Sequence, residues 1–246
     1  MSVRNKIDFA RFEITCHNCS LSELCLPRGL SLQEIDALDT VIENKPILQR
    51  GEKIYVSDQV FKSLYAVKSG SMKIYSESEN GEEHVLGFFM PGELLGLDGI
   101  GSSRHMCTAV ALETTSLCEI PYDRLESLCH RFTGLQKEIY HVMGKEIADD
   151  KSLLLLLGKR TADERLATFL LSLSNRFKDR GFSGTEFNLS MARQDIANYL
   201  GLATETVSRI FGKLQEDNIL SVNRRLVQIL DIDKLNAIVN PDSGTE

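Results

Sequence analysis

The chain has 246 residues, 42% of them hydrophobic and 26% charged, with a net charge of −7. These totals describe a globular protein long enough for two domains with real cores. They exclude a membrane-spanning helix, because the longest apolar run, Leu153 to Leu157, is far too short to cross a bilayer. Arg4, Lys6, Asp8, Arg11 and Glu13 interrupt the first fifteen residues, so no signal-peptide core is expected there. The expected location is the cytoplasm, where thiols stay reduced.

Cysteines come next. Cys16, Cys19 and Cys25 stand in the spacing C-x2-C-x5-C, and Cys118 follows far downstream. Such spacing suits thiolates that converge on one soft metal centre. Zinc and iron–sulfur clusters both accept four cysteines, and redox chemistry is a third use, so the residues alone leave the choice open. His17 between two of the cysteines offers a Cys3His variant. Cys107 and Cys129 have no such neighbours and read as small buried hydrophobes.

From about Ile47 to Ile120, glycines break the chain into short β-like runs, among them Ser63 to Lys68, Ser71 to Ser76 and His84 to Phe89. Asn80-Gly81 between two of these runs is a hairpin signal, and Ser69-Gly70 and Pro91-Gly92 mark further turns. Many short strands at this spacing predict an antiparallel roll or barrel. The period then changes. Tyr122 to Gly158 reads as helix, and within it Met143, Ile147, Asp150, Leu154 and Leu157 repeat at coiled-coil spacing. A carboxylate at a seam position argues for a two-fold helix pair over burial in the chain's own core. Two copies of Asp150 at roughly 6 Å, with an effective dielectric of ~20, repel by about 3 kcal/mol. Ile147 and Asp150 are therefore candidate elements of a dimer switch.

After Gly158 the pattern is that of a small helical module. Thr161 to Phe177 is amphipathic, with Leu166, Phe169, Leu170 and Leu173 on one face. Ser190 to Leu214 reads as two helices around Gly201, with Ile196 and Ala197, then Val207, Ile210 and Leu214, facing inward. That is a helix-turn-helix. Glu205, Ser208 and Arg209 lie on the outer face of the second helix, and a hairpin wing follows with Arg224 and Arg225 at its tip. Arg209 suits guanine O6/N7 and Glu205 suits cytosine N4. Arg193, Lys213, Arg224 and Arg225 are candidate phosphate contacts. Charge agrees: residues 159–230 hold 11 basic and 8 acidic side chains, whereas residues 1–158 hold 16 and 23. A basic module beside an acidic one restrains non-specific DNA binding. His84, His105, His130 and His141 show no metal spacing, and no Ser-His-Asp set, Walker loop or HExxH motif appears, so an enzyme is not expected.

The order of roll, long helix and winged helix-turn-helix resembles the CRP/FNR superfamily of bacterial transcription factors over nearly the whole chain. The cysteine spacing is similar to that of its FNR/Anr-type oxygen sensors. So are Ala111 to Pro121 (ALETTSLCEIP), Arg180 to Ser183 (RGFS) and Asn198 to Arg209 (NYLGLATETVSR). The resemblance implies an α+β fold divided as follows: 1–28, a cluster-binding segment; 29–121, the roll; 122–158, the dimerisation helix; 159–234, the DNA-binding domain; 235–246, a tail. It implies a [4Fe-4S] cluster on Cys16, Cys19, Cys25 and Cys118. Without oxygen the loaded protein would form a homodimer; oxygen would convert the cluster to [2Fe-2S], loosen the dimer and release DNA. Glu205, Ser208 and Arg209 would read TTGAT half-sites in inverted repeats at genes of anaerobic metabolism, activating or repressing them with RNA polymerase as a partner. A carboxylate at the place of Asp150 would restrain dimerisation. Related cyclic-AMP receptors bind phosphate with an Arg-Ser pair and a Glu; here His105-Met106 and Leu97 stand there, so no cyclic nucleotide is expected.

Overall fold

Two short 3-10 turns, Cys16–Asn18 and Ser22–Leu24, lead into helix α1 (Leu32–Asp39) in a computed structural model that describes residues 15–78 and 80–240. The first fourteen residues of the expected 1–28 segment and the last six of the expected tail lie outside that range, as does Glu79. Ser31 begins α1 with a capping box, its side chain accepting from the Glu34 amide while Glu34 accepts from the Ser31 amide.

The roll is built from β1 (Glu43–Asn44), β2 (Lys53–Tyr55), β3 (Ser63–Ser69), β4 (Met72–Glu77), β5 (Glu83–Phe89), β6 (Leu94–Leu95), the short helix α2 (Gly99–Ser102), β7 (Thr108–Ala111) and β8 (Ser116–Pro121). Its strands form two antiparallel four-stranded sheets, ordered β1-β8-β3-β6 and β2-β7-β4-β5. The Asn80-Gly81 signal lies in the β4–β5 connection, where Glu77 pairs with Glu83 and Gly81 takes φ +78°. Residues Ser63 to Val67 of β3 are buried without alternation. Tyr65 and Val67 enter the core between the sheets, while Leu64 and Ala66 enter a second core closed by α1 and the helices that follow. A strand covered on both faces has no polar side to show.

Those helices are α3 (Tyr122–Arg131) and α4 (Thr133–Lys159). The single helix expected from Tyr122 to Gly158 is thus two, broken at Phe132, whose backbone is extended at φ −125° and ψ 101°. No side chain of its own caps α4. Instead the Glu34 carboxylate of α1 stands at the start of α4, its pKa lowered chiefly by the Ser31 amide and hydroxyl and to a smaller extent by the nearby Gly134 and Leu135 amides. A Cβ at position 134 would sit 2.2 Å from Glu34 Oε1, so the Glu34 carboxylate lies directly against the start of α4.

The C-terminal module holds α5 (Ala162–Asp179), β9 (Glu186–Asn188), α6 (Arg193–Tyr199), α7 (Thr204–Glu216), β10 (Leu220–Asn223), β11 (Leu226–Ile229) and α8 (Ile232–Val239). β10, β11 and β9 make the wing sheet. The expected tail from residue 235 is in fact helical to Val239, because Leu235 is fully buried in the module's core. That core also takes in Val85, Phe88, Met90 and Leu112 from the roll. Among the described residues no helix is long and apolar enough to cross a membrane.

Candidate nucleic-acid interface and thiol cluster

The helix-turn-helix is α6, a turn and α7. Ile196, Ala197, Leu200, Val207, Ile210, Phe211 and Leu214 are buried, which fixes the two helices against each other and against α5. Gly201 turns the chain at φ +60°, and the amide of Leu202 donates to the Ala197 carbonyl to close the end of α6. With one face of α7 committed to the core, Glu205, Ser208 and Arg209 are exposed on the other. The Ser208 hydroxyl donates to the Thr204 carbonyl at 2.9 Å, leaving its oxygen lone pairs outward. At the wing, Asn223 pairs with Leu226, so Arg224 and Arg225 form a two-residue tip, Arg224 at φ +56°. Lys213 pairs with Asp163 at 3.5 Å. Arg193 differs from the free phosphate arm expected of it. Its guanidinium lies 3.2 Å over the Phe211 ring, and its Nη1 is buried without a hydrogen-bond partner among the described residues. Burial lowers its pKa to about 10.

At the far end of the molecule the thiols gather. Cys16, Cys25 and Cys118 all pack against the core beneath α1, α3 and α4. Cys118 sits on β8, opposite Asn44 of β1. Cys19 is close enough that its charge would raise the thiol pKa of both Cys25 and Cys118. Burial raises Cys16, with Asp39 adding to it, and pushes Cys25 up to about 12, so without a cation these groups are neutral thiols. Among the described residues no group of three or more His, Cys, Asp or Glu stands tightly enough to hold a metal ion. The donor chemistry nonetheless fits one, since the four soft thiols are near enough to interact electrostatically with one another and a bound cation deprotonates a thiol outright. His17 is engaged elsewhere, 2.7 Å from Asp36. The segment is tied to α1 a second time by the Cys16 amide, which donates to Asp39 Oδ1 at 2.7 Å. Arg28 reaches Glu138 of α4 at 3.3 Å.

Along α4, Ile147 is 53% exposed and Leu154 70%, and Asp150 is exposed beside them. An apolar stripe open to water on a helix of 27 residues is an unpartnered face in the single chain. Glu146, one turn before Asp150, has its pKa raised to about 7 by burial, with Asp150 and Asp149 adding repulsion. In the roll, His105 is buried and stacked on Tyr55 with ring centroids 3.7 Å apart. Asp98 accepts from the Met106 amide at 2.7 Å, placing a carboxylate beside His105-Met106, where the sequence lacks an Arg-Ser pair.

Three polar joints escaped the sequence reading. Arg165 of α5 donates to the carbonyls of Leu157, Arg160 and Leu200, tying the end of α4 to the turn of the helix-turn-helix. Glu93 of the roll is gripped by Arg176 and Arg180. Asn198 of α6 bonds to the backbone of β5. Their partners lie 35 to 115 residues apart, apart from Arg165's local bonds to Leu157 and Arg160, so no local pattern announces them.

Comparison with known proteins followed the same division. A Crp-like helix-turn-helix domain matches residues 164–238, and a cyclic nucleotide-binding domain matches residues 47–132. The chain is 48% identical over 223 residues to the transcriptional activator protein Anr of Pseudomonas protegens, covering 91% of each. It is 44% identical to the fumarate and nitrate reduction regulatory protein of Yersinia pestis, covering 92% of this chain and 91% of that one. Among solved structures, FixK2 from Bradyrhizobium japonicum superposes with a TM-score of 0.74 at 28% identity, over 80% of this chain and 97% of that one.

Proposed function

This chain belongs to the CRP/FNR family of DNA-binding transcription regulators, in its FNR/Anr branch, and from that premise we propose that it is an oxygen-responsive regulator of anaerobic-metabolism genes. Cys16, Cys19, Cys25 and Cys118 hold a [4Fe-4S] cluster. The observation that carries this reading is the packing of Cys16 and Cys25, from the N-terminal turns, with Cys118, from β8, against one core that α4 also enters. When bound, the cluster supplies an oxygen-labile centre that draws the four sulfurs together as thiolates.

The chain's own residues carry the consequence to the seam. The cysteine turns are fastened to α1 at Asp36 and Asp39, and Glu34 of α1 lies against the start of α4 at Gly134. A tightened N-terminal segment therefore sets α1, and α1 sets α4. Ile147 and Leu154 then pack across a two-fold axis, while the Asp150 pair opposes that contact and makes the dimer conditional. In the dimer each α7 offers Glu205, Ser208 and Arg209 to a TTGAT half-site of an inverted repeat, with Arg224 and Arg225 on phosphates. RNA polymerase is the further partner, met through exposed surfaces of the roll and the C-terminal module. Cyclic nucleotides take no part, because His105-Met106 offers no phosphate-binding Arg-Ser pair and the Asp98 carboxylate beside it repels a phosphate.

The test is one anaerobic preparation followed through exposure to air. Visible absorption, iron and acid-labile sulfide, molecular size and binding to an inverted-repeat duplex are measured at each stage. The expected protein is brown, dimeric and DNA-bound without oxygen, then bleached, monomeric and released. A colourless zinc protein that keeps one size in both conditions overturns the reading.

A further inference from the structure

The reading module meets the roll at two polar joints on either side of a shared apolar core. β5 is an edge strand of its sheet, so its outward backbone groups have no strand partner. The Asn198 carboxamide supplies one. Its oxygen accepts from the Val85 amide at 2.6 Å, and its nitrogen donates to the Glu83 carbonyl at 2.6 Å, so the side chain bonds to the strand as a peptide group would. Beside it Lys73 of β4 bridges Asp195 of α6 at 2.7 Å and Glu83 at 2.9 Å. At the second joint Glu93 takes Arg180 at 2.7 Å and Arg176 closer still, and the same two arginines donate to the Phe88 and Pro91 carbonyls of the roll. The Arg180 side chain is only 4% exposed. Between the joints Phe88 packs on Phe169 and Tyr199.

We infer that the roll is a rigid mount for the reading helix, and that Asn198, Glu93 and Arg176 are positioning residues that fix α7 relative to α4. Opposed polar joints around an apolar centre leave α6 no free rotation about the α4–α5 connection, and Arg165 braces that connection itself. Dimerisation along α4 then sets the separation and phase of the two reading helices at once. The inference rests on the proposed reading of paired half-sites. Its consequence is strict spacing: one base pair added between half-sites turns them by roughly 34° and moves them by about 3.4 Å, which a rigid pair cannot follow.

The experiment uses the full-length, anaerobically reconstituted protein and a set of duplexes whose TTGAT half-sites are separated by different numbers of base pairs. The wild-type chain should bind one spacing best and lose at least about tenfold when the spacer changes by one base pair. Asn198→Ala and Glu93→Gln should bind that best duplex more weakly and flatten the penalty to less than about threefold. A merely destabilising change would weaken every duplex alike and keep the wild-type preference, and that result overturns the mount. Should Glu93→Gln fail to fold, Asn198→Ala at the module's surface decides the matter. A wild-type chain indifferent to spacing overturns the paired-site reading as well, which separates the two failures.

Discussion

The reading end and the thiol end of this chain are finished to different degrees. At the reading end Val207, Ile210 and Leu214 are buried, so Glu205, Ser208 and Arg209 point outward in a single chain without any ligand. At the thiol end Cys16, Cys19 and Cys25 sit on or beside 3-10 turns of three residues each, and Cys16 and Cys25 pack on the core rather than on one another. The difference teaches where each site's energy comes from. A surface made by helical periodicity is built by the hydrophobic effect and stands alone. A site made of thiolates would be completed by a cation, because burial alone drives Cys16, Cys25 and Cys118 toward neutrality.

The hardest blow to this contrast falls on the thiol end. Cys118→Ser should abolish the visible absorption of the anaerobic protein and weaken its binding to an inverted repeat by about a hundredfold or more, since a four-thiolate site rarely survives as three. Circular dichroism should leave the helix-turn-helix unchanged, and a variant that still binds DNA tightly would join the two ends in a way the contrast denies. Asp150→Ala acts between them. It should tighten the cluster-free dimer by up to about 3 kcal/mol, less at high salt, as read by sedimentation in air. Arg209→Ala should cost about 1–3 kcal/mol and relax choice at one base pair, leaving absorption untouched. The smallest effect is at Glu146. Its folded pKa of about 7 lies above the ordinary 4.5, so the folded chain holds a proton that the unfolded chain has released. Stability from the neutral form is present at low pH and lost as pH rises through that window. Glu146→Gln should flatten the pH slope of thermal unfolding between those values in the air-exposed protein.

Much of this was legible in the residues. Period 3.6 put Ile196, Ala197, Val207, Ile210 and Leu214 inside, and each is buried. Glycine punctuation gave the roll, and the wing tip falls at Arg224 and Arg225. The break at Phe132 was not legible, because it carries no Pro and a lone glycine such as Gly134 is tolerated inside a helix; the group that meets the start of α4 is Glu34, far upstream. Arg193 misled for a related reason. A basic residue at a helix start suggests a phosphate arm, and only the tertiary neighbour Phe211 draws it into a stack. The joints at Asn198, Glu93 and Arg165 are side chains bonding to distant backbone or to distant charges, and sequence spacing carries no trace of such pairs.

The covered edge of β5 also bears on solubility. An open strand edge is a template for pairing with another chain. Here Asn198 occupies that edge, and α5 and α6 bury Phe88, Val85 and Met90 beside it. A roll cut off after Lys159 would expose both the unpaired backbone and that apolar patch, and copies of it should associate through β5. Such association of the cut roll would make the reading module the guard of its own sensor domain.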